Sequence, residues 1–261
     1  MVEAGKPSRF FLEIDLKKEG RQTGFVRVPH SVHRSAYGWI PIPIACIRNG
    51  DGPRIYMQAG NHGDEWEGQL ALGRLIRELD PAQVRGRIVI LPSANFPAAM
   101  AGMRTSPIDE GNLNRSFPGD PDGGITRQIA HFIDTVLLAD ADYAFDFHSG
   151  GSSLTYIPST LGRRHAEQHK TDQVIGMMRA FGAPVAYLGL ALQGADLTLT
   201  SAAARRGVLC MGTELAGGGQ VTTSVLNSTV EGMLRLLKHL GAYTGPTVPA
   251  PPTRLLTVAG A

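Results

Sequence analysis

Apolar residues along the chain alternate between two rhythms. Short runs bounded by glycine, proline or polar residues predict strands at 10–16, 24–28, 40–47, 55–59, 88–91, 143–147, 153–157, 185–188 and 208–211. Several are apolar at nearly every position, the pattern of a strand covered on both faces. Between them apolar residues recur at helical spacing. Trp66, Leu70, Leu75, Ile76 and Leu79 form one such set, stopped by Asp80-Pro81, and Ile125, Ile129, Phe132, Ile133, Val136 and Leu137 form a second. A third helix is predicted from about 160 to 181, and a fourth from Val225, Leu226, Val230, Leu234, Leu237 and Leu240, closed by Gly241. Strands alternating with helices over more than half the chain predict an α/β fold, a three-layer α/β/α arrangement with a mostly parallel sheet.

The end of the chain reads differently. Residues 1–245 carry the alternating pattern, while AYTGPTVPAPPT is a proline-rich connector and RLLTVAGA has the form of an opening strand. Residues 246–261 are therefore expected to be a connector and the start of a further unit.

Composition narrows the classes of function. A net charge of +2, with 18% charged and 43% apolar residues, predicts neither a disordered chain nor a nucleic-acid-binding surface. No apolar run approaches the roughly 20 residues of a membrane span, and the opening MVEAGKPSRFFLEIDL lacks the apolar core and cleavage site of a signal peptide, as expected of a soluble cytoplasmic protein. Cys46 and Cys210 lie in apolar runs without C-x-x-C spacing and are expected to be buried thiols. A homo-oligomer is compatible with the chain.

Candidate chemistry collects where strands end. In GNHGDEWEG, His62 and Glu65 follow the strand at 55–59 and precede a helix, so an imidazole and a carboxylate three residues apart can converge on one metal ion. In YAFDFHSGGS, His148 ends another strand and can face the same crevice. Two histidines and a glutamate with an open fourth position form a catalytic zinc set. Asp146 points to the same side of its strand as His148, where it either orients an imidazole or fills an ordinary turn role. Glu214, in VLCMGTELAGGG, is the candidate general base, placed before a glycine-rich turn that reads as flexible. The polar stretch 103–124 holds Arg104 and, next to Asn114, Arg115. These guanidinium groups either grip a substrate carboxylate and stabilise oxyanion charge or lace the loop to Asp109, Glu110 or Asp120.

The ordered set GNHGDE, NLNRSFPG, DFHSGG and GTEL resembles the succinylglutamate desuccinylase/aspartoacylase family, whose fold is that of the zinc carboxypeptidases. The resemblance covers roughly residues 25–245. It implies a mixed, mostly parallel sheet, one zinc ion held by His62, Glu65 and His148, and Glu214 as general base. It further implies that Asn114 and Arg115 grip the substrate α-carboxylate and that Arg104 polarises the scissile carbonyl. Arg104 stands farther ahead of Arg115 than the corresponding arginine does in mammalian-type aspartoacylases. The longer loop RTSPIDEGNLNRSFPGD resembles the bacterial subgroup that includes N-acetyl-diaminobutyrate deacetylases. The family usually continues into a small β-rich C-terminal domain that narrows the channel mouth, and such a domain would begin within 246–261. It also places an acyl-carboxylate-binding arginine near Arg205 and Arg206, for which a surface role is an equal reading.

The resemblance thus implies hydrolysis of the amide bond of a small N-acyl amino acid. A carboxypeptidase or peptide amidase would use the same metal chemistry on a longer substrate. A binding protein that kept the fold alone would be expected to lack a ligand or the base, and the chain has all of them. The glycine-rich segments fit neither a P-loop nor a dinucleotide fingerprint.

Overall fold

In a computed structural model, which describes residues 6–34, 36–189 and 197–257, the chain forms one ten-stranded mixed sheet with helices on both faces. The strands are β1 (Phe11–Leu12), β2 (Gly20–Pro29), β3 (Trp39–Asn49), β4 (Arg54–Ala59), β5 (Gly86–Leu91), β6 (Tyr143–His148), β7 (Ser159–Arg163), β8 (Val185–Gly189), β9 (Leu209–Glu214) and β10 (Arg254–Thr257). The helices are α1 (Trp66–Glu78), α2 (Phe96–Ala101), α3 (Ile125–Phe132), α4 (Gln168–Phe181), α5 (Leu199–Arg205) and α6 (Thr223–His239).

Across the sheet the order is β1-β2-β3-β5-β4-β6-β9-β7-β8-β10. The centre, β5-β4-β6-β9, is parallel. The antiparallel strands β1 to β3 flank it on one side, and β7 runs against β9 on the other, with β8 and β10 parallel to β7. Alternation along the central strands divides the core in two. Ile55, Met57, Phe145, Phe147 and Met211 pack with α1, α4 and α6 on one face, while Tyr56, Ala144 and Cys210 pack with α3 and α5 on the other. Both cysteines are buried and free. No helix among the described residues is long and apolar enough to cross a membrane.

Several local expectations differ from the structure, among them the strand expected at 10–16, which is confined to Phe11–Leu12. The helix expected from 160 to 181 is instead strand β7 followed by α4. Gly162 permits this, because a Cβ there would stand 2.6 Å from Val174 Cγ1, so α4 lies directly on the strand. The strand expected at 153–157 is a loop in which Thr155 alone pairs, with Gly217. The second helix changes character after Phe132, where Ile133–Leu137 is a wider π-helical turn. Of the tail expected to open a strand, Arg254–Thr257 forms the outer strand of the same sheet, and 258–261 lie outside the described residues.

Candidate metal centre

The parallel strands β4, β6 and β9 end side by side, in register, so that His148 stands opposite Glu214 and the turn after Ala59 lies next to Phe147. That turn is held very close to its surroundings. Gly60 has φ +68° and its missing Cβ would meet Ser93 Cα at 2.9 Å, while a Cβ on Gly63 would stand 2.0 Å from the Ala98 carbonyl carbon. Gln69, one turn into α1, donates through Nε2 to the carbonyls of Gly63 and Glu65, both at 3.0 Å. The Gly63 N–H donates to Met103 O at 2.8 Å, which fastens the polar 103–124 segment beside the turn.

Within this frame His62, Glu65 and His148 meet. His62 Nδ1 lies 2.6 Å from Glu65 Oε1, and His148 Nδ1 lies 2.8 Å from Glu65 Oε2. One donor atom from each of the three residues falls within 4.8 Å of the others, and all three side chains are buried. The outer nitrogens are occupied elsewhere: His62 Nε2 is 3.2 Å from Asn112 Oδ1, and His148 Nε2 is 2.9 Å from Asp146 Oδ2. Acceptors at both Nε2 positions hold a proton there, so Nδ1 of each ring, which donates to Glu65 at these distances, is the nitrogen whose lone pair an ion would take once that proton is displaced. Two inward imidazole nitrogens and a carboxylate suit zinc, so the residues present fit the ion that the fold implies.

Electrostatics follow from this packing. Burial would raise the Glu65 pKa, but hydrogen bonds and charge from His148 and His62 outweigh it and hold the carboxyl at about 2. Burial also opposes charge on His148, yet Asp146 and Glu65 on its two sides raise its pKa well above the ordinary value. For Glu214, burial dominates. The nearby charge of His148 pulls its pKa down, Glu65 and Asp146 push it up, and the carboxyl reaches about 7. Its Oε2 is buried without a hydrogen-bond partner, leaving that oxygen free to serve as a base.

The remaining predicted residues take different places. Arg104 reaches the cluster, with Nη1 3.4 Å from Glu65 Oε1 and 3.3 Å from His62 Nδ1, although its side chain is 57% exposed. Asn114 also reaches it. Its Oδ1 accepts the Leu199 N–H at 3.2 Å, which orients the amide so that Nδ2 lies 3.3 Å from His148 Nε2. Arg115 is exposed and donates through Nη1 to the Asn114 carbonyl at 2.7 Å, so its guanidinium is not brought into the buried cluster. The arginines do not lace the loop to Asp109, whose carboxylate accepts instead from the Thr126 N–H and hydroxyl, each at 2.7 Å. Arg206 pairs with Asp134, its Nε 3.0 Å from Oδ1.

Asp146 takes the orienting role rather than that of a turn residue. Besides His148 it accepts from Asn61 Nδ2 at 2.8 Å and Gln58 Nε2 at 3.1 Å. The glycine-rich turn after Glu214 is stitched in place, with Ala216 O accepting from Gly150 N and Tyr156 N, and a Cβ on Gly217 would stand 2.4 Å from Leu154 O. Residue-level reading of the sequence did not single out Asn112, Asn61 or Gln58. For Gln58 the signal was a lone amide in the otherwise apolar strand IYMQA.

Known proteins share the sequence pattern and the fold. Residues 51–240 match the succinylglutamate desuccinylase/aspartoacylase catalytic domain. The chain is 40% identical over 240 residues to the N-α-acetyl-L-2,4-diaminobutyric acid deacetylase of Halomonas elongata, covering 92% of this chain and 70% of that one. It resembles the product-bound ectoine utilization protein EutE (DoeB) of Ruegeria pomeroyi, with a TM-score of 0.93 and 37% identity over 98% of this chain and 77% of that one. A succinylglutamate desuccinylase from Silicibacter sp. TM1040 matches with a TM-score of 0.91 and 37% identity, covering 95% and 76% of the two chains. With its fold shared and the family's catalytic domain spanning the strand ends that carry His62, Glu65, His148 and Glu214, the chain belongs to the succinylglutamate desuccinylase/aspartoacylase family.

Proposed function

We propose that the protein is a zinc-dependent hydrolase that cleaves the amide bond of a small N-acyl amino acid, releasing a short carboxylic acid and a free amine. The observation that carries this reading is the convergence of one donor atom each from His62, Glu65 and His148 within 4.8 Å of one another, beside a carboxyl poised at about 7. His62, Glu65 and His148 would hold one zinc ion, which when bound supplies a Lewis acid that polarises a carbonyl and acidifies water.

The chain's own groups account for the remaining steps. Glu214 takes the proton of the attacking water and passes it to the leaving nitrogen, a role suited to a carboxyl that titrates near neutrality. Arg104, beside Glu65, offers its guanidinium to the negative charge that develops on the carbonyl oxygen. Asn114 presents its amide at the edge of the cluster, and Arg115, next in the chain and open to solvent, holds the substrate carboxylate. Similarity to the Halomonas deacetylase favours an acetyl group on a diamino acid such as 2,4-diaminobutyrate.

Acid release from a panel of Nα-acetyl amino acids, with succinyl and peptide analogues alongside, tests the substrate class. Acetate released fastest from a short acetylated diamino acid is the expected result. Turnover of the peptides alone would replace this reading with a peptidase.

A further inference from the structure

The support for His148 extends farther into the core than the carboxylate that touches it. Tyr56 and Gln58 alternate on one face of β4, and Gln58 stands in register with Asp146 on β6. Tyr56 is 1% exposed, Gln58 0% and Asp146 3%, all beneath the α3 and α5 layer. The Tyr56 hydroxyl donates to Gln58 Oε1 at 2.5 Å, Gln58 Nε2 donates to Asp146 Oδ1, and Asp146 Oδ2 faces His148 Nε2.

An amide buried in an otherwise apolar strand costs stability that an apolar residue would not, so its placement asks for a reason. An amide can present either end. Were Gln58 turned over, its oxygen would face a carboxylate oxygen, and the Tyr56 hydroxyl would have to accept where it now donates. Tyr56 thus fixes which end of Gln58 meets Asp146. Gln58 in turn holds Oδ1, leaving Oδ2 directed at His148 alongside the Asn61 donor. Removing Gln58 would let the carboxylate rotate about its last bond and loosen the direction of the His148 Nδ1 lone pair.

We propose that Gln58, oriented by Tyr56, is a positioning residue that acts through Asp146 to aim His148 Nδ1 at the metal. This rests on the metal-dependent reading of the same site. The test is zinc affinity of the full chain, measured by competition with a chromophoric chelator, together with the visible spectrum of the cobalt-substituted protein. Gln58→Leu is expected to weaken zinc binding about 10- to 100-fold, the range typical of lost outer-sphere support, and to alter the cobalt spectrum. Tyr56→Phe, which removes one oxygen from a retained ring, is expected to weaken it in the same direction and serves if Gln58→Leu does not fold.

Action through Asp146 is read from a double-mutant cycle in which Gln58→Leu costs no further zinc affinity once Asp146→Asn is present. Parental zinc affinity and an unchanged cobalt spectrum in Gln58→Leu, or in Tyr56→Phe should the former not fold, would overturn the proposal. So would fully additive losses in the cycle, which would mark Gln58 as a general core residue. If the parent itself bound no zinc, the metal reading would fail instead, and the two failures are distinct.

Discussion

Glu214 illustrates how one residue's surroundings decide its chemistry. At an ordinary value of 4.5 it would be a weak base, and burial next to Glu65 and Asp146 carries it to about 7. Glu214→Gln keeps the shape but cannot take a proton, so under the proposed mechanism turnover should fall by roughly 10² to 10⁴ while zinc content stays at the parental level. Steady-state kinetics with metal analysis check this, and activity within a few-fold of the parent would move the base elsewhere. The same shift predicts a pH signature in the metal-free protein. Between pH 4.5 and about 7 the folded state keeps a proton on Glu214 that the unfolded chain has lost, so the stability that proton brings is fully present below 4.5 and is lost as pH rises through 7. Glu214→Gln cannot ionise, and its melting temperature relative to the parent should therefore rise across that window. A difference independent of pH would contradict the assignment.

Turns and helices set how closely the ligand residues approach. Gly63 packs against the backbone of α2, so Gly63→Ala must push that backbone or the His62 turn aside. It should cost about 1–3 kcal/mol of stability and lower zinc content. Gly73, in the middle of α1, has only the Arg77 guanidinium near its missing Cβ, at 3.6 Å. Gly73→Ala should stabilise by about 0.5–1 kcal/mol and leave zinc content unchanged. Denaturation midpoints and metal analysis of the two variants separate a glycine required by space from one that is not. Legibility also divides at this scale. The convergence of His62, Glu65 and His148 could be read from sequence because His62 and Glu65 follow one apolar strand and His148 ends another, and parallel neighbours end together. Strand β7 was hidden because its pairing is decided by β8 and β9, distant in sequence, whereas 153–157 has strand-like residues but almost no partner. Helices α2 and α5 are too short and alanine-rich to carry a period. Gln58 and Asn112 gain meaning only when folding sets them against Asp146 and His62.

At the scale of the whole molecule, the site lies at the carboxyl ends of three adjacent parallel strands, β4, β6 and β9, with antiparallel β7 bordering β9. The carboxyl ends of β4, β6 and β9 open there together, and the 103–124 segment brings Arg104 and Asn114 against them. The proposed function requires a metal ion held by His62, Glu65 and His148. The most direct test is to strip the protein with a chelator, confirm that the fold persists, and titrate zinc back while following acetate release from an Nα-acetyl diamino acid. Activity should be absent at the start and rise linearly to a plateau at one zinc per chain, and His148→Ala should show no such rise. Full activity in the stripped protein, or a parental titration curve from His148→Ala, would contradict the account.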